Sequence, residues 1–292
     1  MKFLQGSFIF MNLSVYVASA FSKNNKGGNK AGVVLNEPTL ATAQKMAIAK
    51  QLGYAETAFL TESNCADYKL EYFTPKEEVD LCGHATIGTF AILMHLNKIH
   101  KSQYTIETNS GVLTITIKDG TIFMEQNQPT FYDTIPPNKL TGCFSLNLLN
   151  TNYPIQIVST GLKDILIPIK SEADLYALEP NFEEVKKVSK HYEVVGMHLY
   201  TFNADRIICR NFAPLFDINE EAATGTSNGA LACYLYKNHY LRKENYVFEQ
   251  GYSLHSPSEI FVNLVISNKD EIEKVYVGGK GYYCEMQDLS ME

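Results

Sequence analysis

Two short runs place glycine beside small hydroxyl, thiol and imidazole residues in the same arrangement. They are Cys82-Gly83-His84-Ala85-Thr86 and Thr224-Gly225-Thr226-Ser227-Asn228. Each is a glycine-bearing turn opening into a stretch of small and apolar residues that is predicted helical. The first backbone N–H groups of a helix have no partner within it, and the helix dipole adds partial positive charge there. Glycine lets a ligand come close to that backbone. Two such starts facing each other would hold a carboxylate, or stabilise a developing enolate, without any arginine. The same composition also suits two tightly packed helix starts whose small residues serve packing alone.

Titratable groups stand around both runs. Glu56, in Tyr54-Ala55-Glu56-Thr57-Ala58-Phe59, is a carboxylate at the head of an apolar strand. Pointing inward, it would be desolvated and its pKa raised toward neutrality, where it both takes and returns a proton. Pointing outward, it is a solvated edge-strand residue. His84 sits where the helix dipole disfavours its protonated form, so a neutral hydrogen-bonding role or a structural one is expected. Glu221 is a second candidate carboxylate, or simply a dipole partner of the helix behind it. Cys82 is either a base activated by the helix end or a small buried residue.

These groups need elements to position them. A strand over 13–21 leads through the polar loop 24–29 to a short strand at 32–35. A helix over 40–52 follows, with Thr39 as N-cap and Gly53 as stop. Strands are predicted at 56–61 and 67–73, then a helix over 84–97 so uniformly small or apolar that it must be buried. A hairpin over 103–117 turns at Asn109-Ser110-Gly111. Residues 125–138, with three prolines, read as a linker between lobes 1–125 and 126–292. Beyond it come strands at 154–159 and 165–169, a helix at 180–190, strands at 194–202 and 206–210, and a second small-residue helix at 226–237. Residues 255–292 read as strand, turn, strand.

The plan repeats. An offset of 142 residues sets Glu220 on Glu78, Thr224 on Cys82, Gly225 on Gly83, Ala230 on Gly88 and Leu235 on Leu93. An aromatic–x–Pro turn precedes each helix, Phe73-Thr74-Pro75 and Phe212-Ala213-Pro214.

Composition narrows the partners. At 292 residues the chain suits two lobes at roughly 100–200 residues per domain. A net charge of −7 argues against nucleic acid or an anionic membrane as partner, so a positive field for an anionic substrate has to be local. Six scattered cysteines without a CxxC pair read as reduced thiols in a cytoplasmic protein, and no His/Cys spacing suggests a metal site. No stretch approaches the roughly 20 apolar residues of a membrane helix. Lys2 and the apolar-leaning run to Ala20 superficially resemble a secretion signal. Gln5, Gly6, Asn12 and Ser14 interrupt it, and residues 1–10 read as an extension before Met11.

Five ordered segments, spanning about residues 13 to 262, carry a resemblance. They are Gly28-Asn29-Lys30-Ala31-Gly32-Val33-Val34; Glu56-Thr57-Ala58-Phe59; Phe73-Thr74-Pro75 with Glu78 to Thr86; Arg210 to Pro214 with Glu220 to Thr226; and Glu249-Gln250-Gly251 with Ser256-Pro257-Ser258. Together they resemble the PhzF-like family of phenazine biosynthesis. The resemblance implies an α/β (α+β) diaminopimelate-epimerase-like fold: two pseudo-symmetric lobes, each a curved mixed sheet around a central helix, commonly as a homodimer. It implies an isomerase with no metal and no organic cofactor, acting on a small-molecule carboxylic acid. By the same carry-over Glu56 is the catalytic acid/base. His84, Glu221 and Thr226 fix substrate polar groups, Cys82, Gly83 and Gly225 contact substrate, and Asn29 lines the cleft.

The chain also departs from that pattern. Glu221 stands where the family usually has Asp, Thr226 where it has Ser, Lys30 replaces the loop proline, and His255-Ser256 replaces Gly-Arg. Two other readings remain. A two-thiol racemase would use Cys82 but needs a second thiol where Thr224 stands. A non-catalytic acid-binding protein would keep the cleft without turnover. Hydride transfer is disfavoured, because no Gly-x-Gly-x-x-Gly follows a strand.

Overall fold

Period-two alternation builds the first strand, β1 (Met11–Ala20), whose Leu13, Val15 and Val17 are buried while Asn12 and Ser14 face out. The computed structural model describes residues 11–37, 40–203 and 206–291. After β1 come β2 (Asn29–Leu35), α1 (Thr42–Leu52), β3 (Thr57–Thr61), β4 (Tyr68–Phe73) and the short β5 (Glu78–Val79). Helix α2 (Gly83–His95) follows, then β6 (Gln103–Thr108), β7 (Gly111–Lys118) and β8 (Thr121–Gln126). The second half holds β9 (Thr130–Ile135), β10 (Ile155–Ser159), β11 (Lys163–Pro168), α3 (Glu172–Ala177), α4 (Phe182–Tyr192), β12 (Gly196–Phe202), β13 (Ile207–Ala213) and β14 (Ile218–Glu221). It continues with α5 (Gly225–Lys237), β15 (Asn245–Gln250), β16 (Ser258–Ile266), β17 (Ile272–Gly279) and β18 (Tyr282–Met291).

Strand pairing repeats itself. In the first lobe β18 lies antiparallel to β1, β1 to β2, β3 to β4, β6 to β7 and β7 to β8, while β2–β3 and β4–β6 are parallel. In the second, β9 lies antiparallel to β10, β10 to β11, β12 to β13, β15 to β16 and β16 to β17, with β11–β12 and β13–β15 parallel. The same sequence of orientations therefore occurs twice, with β5 and β14 as matching short hairpins on β4 and β13. Antiparallel pairing of β8 with β17 joins the two sheets into one.

Each sheet wraps a buried helix. Residues His84 to Leu93 of α2 and Ser227 to Tyr236 of α5 are all buried, as their unbroken small and apolar composition requires. Both helices are 13 residues long and start at extended caps, Cys82 (φ −137°, ψ 112°) and Thr224 (φ −129°, ψ 98°). The offset of 142 residues thus superposes the two helices end to end. One core contains residues of both, including Phe90, Leu93, Leu231 and Leu235. A second core under α3 and α4 and a third under α1 cover the outer faces of the sheets.

Several expectations are corrected. Residues 125–138 are not a free linker. They contain the end of β8, the edge strand β9 and the start of a 3-10 turn at Pro137–Leu140. Pro129, Pro136 and Pro137 flank β9, where an edge strand tolerates them. The tail forms three strands rather than two, and β18 returns to pair with β1. Thr39 and residues 1–10 lie outside the described residues; the cap of α1 is Ala41, whose N–H donates to Gln44 Oε1 at 2.9 Å.

Candidate active site

Glu56 ends the turn after α1 and enters β3, so the register that buries Thr57 to Leu60 carries its carboxylate to the start of α2. There its Oε2 lies 3.1 Å from His84 Nε2, with the two side chains 18% and 9% exposed. The contact is an ion pair whose geometry falls short of a well-aligned hydrogen bond. Cys82 Sγ completes the cluster, 3.5 Å from His84 Nδ1. The backbone that holds these groups is rigid: Thr86 Oγ1 donates to the Cys82 carbonyl at 2.8 Å and contacts the buried Tyr72 hydroxyl at 2.6 Å.

Electrostatics correct the expectation for two residues. Burial pushes the Glu56 carboxyl up, but the His84 imidazole beside it wins and holds the pKa below the ordinary carboxylate value. Burial alone would make His84 neutral; contact with Cys82 and with Glu56 instead raises its pKa well above the ordinary histidine value. Cys82 is itself pushed up by burial and by Glu56 and drawn down by His84, so the imidazole sits between two groups that both favour its protonated form. The sequence-based reading of a near-neutral Glu56 and an uncharged His84 is therefore replaced by an ion pair. The helix dipole, which opposes the imidazolium, is outweighed by a full charge at 3.1 Å.

Glu221 approaches from the other lobe at the end of β14. Burial raises its pKa, and it feels the charges of both His84 and Glu56. Thr224 Oγ1 donates to its Oε2 at 2.6 Å. Asn29 bridges the lobes, its Nδ2 donating to the Ala223 carbonyl at 3.4 Å. Thr226 is half-buried in the first turn of α5, and its carbonyl accepts from Thr160 Oγ1 at 3.1 Å. Two residues that received no individual role from the sequence hold this turn: Gln250 and Asn228, both fully buried. Buried polar residues near a helix start would have been the signal for them.

The two glycines differ. A Cβ on Gly83 would meet no heavy atom within 4 Å, whereas one on Gly225 would lie 3.0 Å from Phe21 Cζ and 3.1 Å from Val277 Cγ1. Packing explains Gly225, but it gives no reason for Gly83, which leaves the start of α2 open to a ligand. Of the departures, Ser256 Oγ donates to the Gly28 carbonyl at 2.8 Å and His255 is exposed.

Glu56, Cys82 and His84 are the residues that could share a metal ion among those described, their ligand atoms lying within 4.8 Å of one another. A groove of about 280 Å³ beside Pro136, Leu149 and Pro154 shares no residue with this cluster.

Comparison with known proteins agrees with this arrangement. The sequence model of the PhzC-PhzF family, described as phenazine biosynthesis-like protein, matches residues 18–286. An uncharacterized isomerase of Clostridium acetobutylicum is 32% identical over 279 residues, covering 89% of this chain and 92% of that protein. One from Escherichia coli K12 is 30% identical over 286 residues, covering 92% and 95%. The crystal structure of a PhzF-family phenazine biosynthesis protein from Bacillus anthracis superposes with a TM-score of 0.88 at 26% identity, covering 96% of this chain and 99% of that one. The repeated lobes, the two helix starts and these similarities together make the chain a member of the PhzC-PhzF family of isomerase-type enzymes.

Proposed function

We propose that the protein is a cofactor-independent isomerase in which Glu56 moves a proton between carbons of a small carboxylic acid held between the starts of α2 and α5. The observation that carries this reading is the 3.1 Å contact of Glu56 with His84, which keeps a mostly buried carboxylate ionised and able to accept a proton. Glu56 removes a proton from a carbon activated by the substrate carboxyl. The electrons of the broken C–H bond move onto the carboxyl oxygen as an enolate. Backbone N–H groups at Gly83 and Gly225 stabilise that charge, with Gly83 giving it open access. In an unsaturated acid that enolate extends through the neighbouring C=C, so Glu56 returns the proton to the far carbon of that bond as the oxygen electrons re-form C=O, the double bond shifts one position toward the carboxyl, and the Glu56 carboxylate is regenerated. His84, Glu221 and Thr226 fix the polar groups of the substrate, and Asn29 closes the cleft from β2.

The environments of the two carboxyls push their pKa values apart, Glu56 down and Glu221 up, which is the pattern of a base facing an acid. A two-thiol racemase is opposed by Thr224, whose hydroxyl is engaged with Glu221 at 2.6 Å. No helix among the described residues is long and apolar enough to cross a membrane. A cytoplasmic homodimer without nucleic-acid or membrane partners is part of this proposal. So is a division of the chain into two lobes after β8, with β18 belonging to the first.

Deuterium wash-in tests it. Protein and a panel of α-amino, hydroxy and unsaturated carboxylic acids are incubated in heavy water and read by mass spectrometry. Exchange that is lost with Glu56→Gln and kept with Cys82→Ala is the expected result. Exchange that survives Glu56→Gln, or disappears with Cys82→Ala, overturns the assignment.

A further inference from the structure

Gln250, at the end of β15, has no exposed surface, and all of its hydrogen-bonding capacity near the site is used. Its Oε1 accepts from the Thr224 backbone N–H at 3.2 Å and from Asn228 Nδ2 at 3.0 Å. Its Nε2 donates to the Glu221 carbonyl at 2.9 Å and to Thr224 Oγ1 at 3.1 Å. The orientation of the amide is forced, since a flipped one would set its NH₂ against two donors. The consequence falls on Thr224. Its hydroxyl already receives an N–H from Gln250, so its single proton is directed to the other neighbour, Glu221 Oε2, 2.6 Å away.

We propose that Gln250 is a positioning residue for proton transfer at this site: it clamps the turn from Glu221 to Thr224 and fixes the Thr224 hydroxyl as a donor to the Glu221 carboxylate. Its catalytic meaning rests on the isomerase reading above; the hydrogen-bond chain itself does not. The charged groups facing Glu221 are His84 of α2, Glu56 before β3 and Asp164 of β11. His84 favours the ionised Glu221, and the two acids oppose it. Gln250 is uncharged, so it acts on Glu221 only through Thr224 and the shape of the turn. The half-buried Glu221, one methylene longer than Asp, is reached by Thr224 because the turn is held at both ends.

A titration that needs no substrate tests this. The carboxyl carbon of Glu221 is followed by ¹³C NMR against pH, assigned with Glu221→Gln. Losing the donated hydrogen bond removes stabilisation of the ionised form, so Gln250→Met raises the titration midpoint by about 0.5–1 unit, and Thr224→Val does the same. Thr224→Ser, which keeps the hydroxyl, leaves the midpoint where it was. The double variant Gln250→Met/Thr224→Val shifts no further than Thr224→Val alone, because both changes break one chain. An unmoved midpoint in Gln250→Met, or an equal further rise in the Thr224→Val background, overturns the proposal. Should circular dichroism show Gln250→Met unfolded, Gln250→Glu replaces it in the same cycle, where its added charge acts in both backgrounds and cancels. A failed wash-in leaves this titration standing, and a failed titration leaves the wash-in result untouched.

Discussion

Replacing His84 by glutamine removes the cation that sets the state of Glu56 while keeping a hydrogen-bonding side chain of similar reach. Two unit charges 3.1 Å apart attract by about 5 kcal/mol at an effective dielectric constant near 20. Desolvation of the buried pair takes back much of that attraction, leaving about 1.5–3 kcal/mol, the ordinary worth of a hydrogen bond to a charged group. Burial is then opposed by the Cys82 hydrogen bond but no longer by a cation, and the Glu56 carboxyl moves up. The pH dependence of stability follows. Glu56, depressed in the folded state, contributes stability above its unfolded value of 4.5 that is lost as pH falls through the folded value. His84, raised in the folded state, contributes stability below its unfolded value of 6.5 that is lost as pH rises through the folded value. The pair is therefore worth most between these two values and less on both sides. Urea unfolding across pH should show this plateau in the native chain and not in His84→Gln. ¹³C titration of Glu56 should show its midpoint rising, and the acid limb of exchange should move with it. A Glu56 midpoint still below the ordinary carboxylate range in His84→Gln would refute the ion-pair account.

Other outcomes follow from packing. Gly83→Ala should fold with native stability, because its Cβ meets nothing within 4 Å, yet lose turnover by filling the approach to the helix start; thermal melting and the wash-in rate check both halves. Gly225→Ala should instead lower the melting temperature, since its Cβ would sit 3.0 Å from Phe21 Cζ and 3.1 Å from Val277 Cγ1. Arg210 grips Glu220 through two contacts of 2.9 Å and also donates to the Leu175 and Leu178 carbonyls, at 6% exposure. Arg210→Met leaves a buried carboxylate unpaired and should cost about 3–5 kcal/mol in urea unfolding, restored in part by adding Glu220→Gln.

The local pattern of this sequence determines much of the architecture. Small and apolar residues all round two 13-residue stretches can only make buried helices, and their 142-residue offset already implies the repeated lobe. Glycine after an extended residue marks both helix starts, at Gly83 with open space before the backbone and at Gly225 because a Cβ would meet Phe21 and Val277. Glu56 is legible as a carboxylate leading an apolar strand. Strands such as β9 and β15 were not legible: β9 is an edge strand with mostly exposed side chains between prolines, and β15 alternates in the fold but puts Val247 on its exposed side and Gln250 on its buried one, so residue type hides the pattern. Which charge state the site adopts lay beyond the sequence as well. Helix position alone argues for a neutral His84, and burial alone for a protonated Glu56; their pKa values move the other way because the fold sets His84 between Cys82 Sγ at 3.5 Å and Glu56 Oε2 at 3.1 Å. The same is true of Gln250, brought by β15 to a turn 26 residues earlier, where it directs one hydroxyl proton toward Glu221. Periodicity and residue type act along the chain, so the sequence displays them. Proton affinity depends on charges, donors and solvent within a few ångströms, and those neighbours are chosen by tertiary structure.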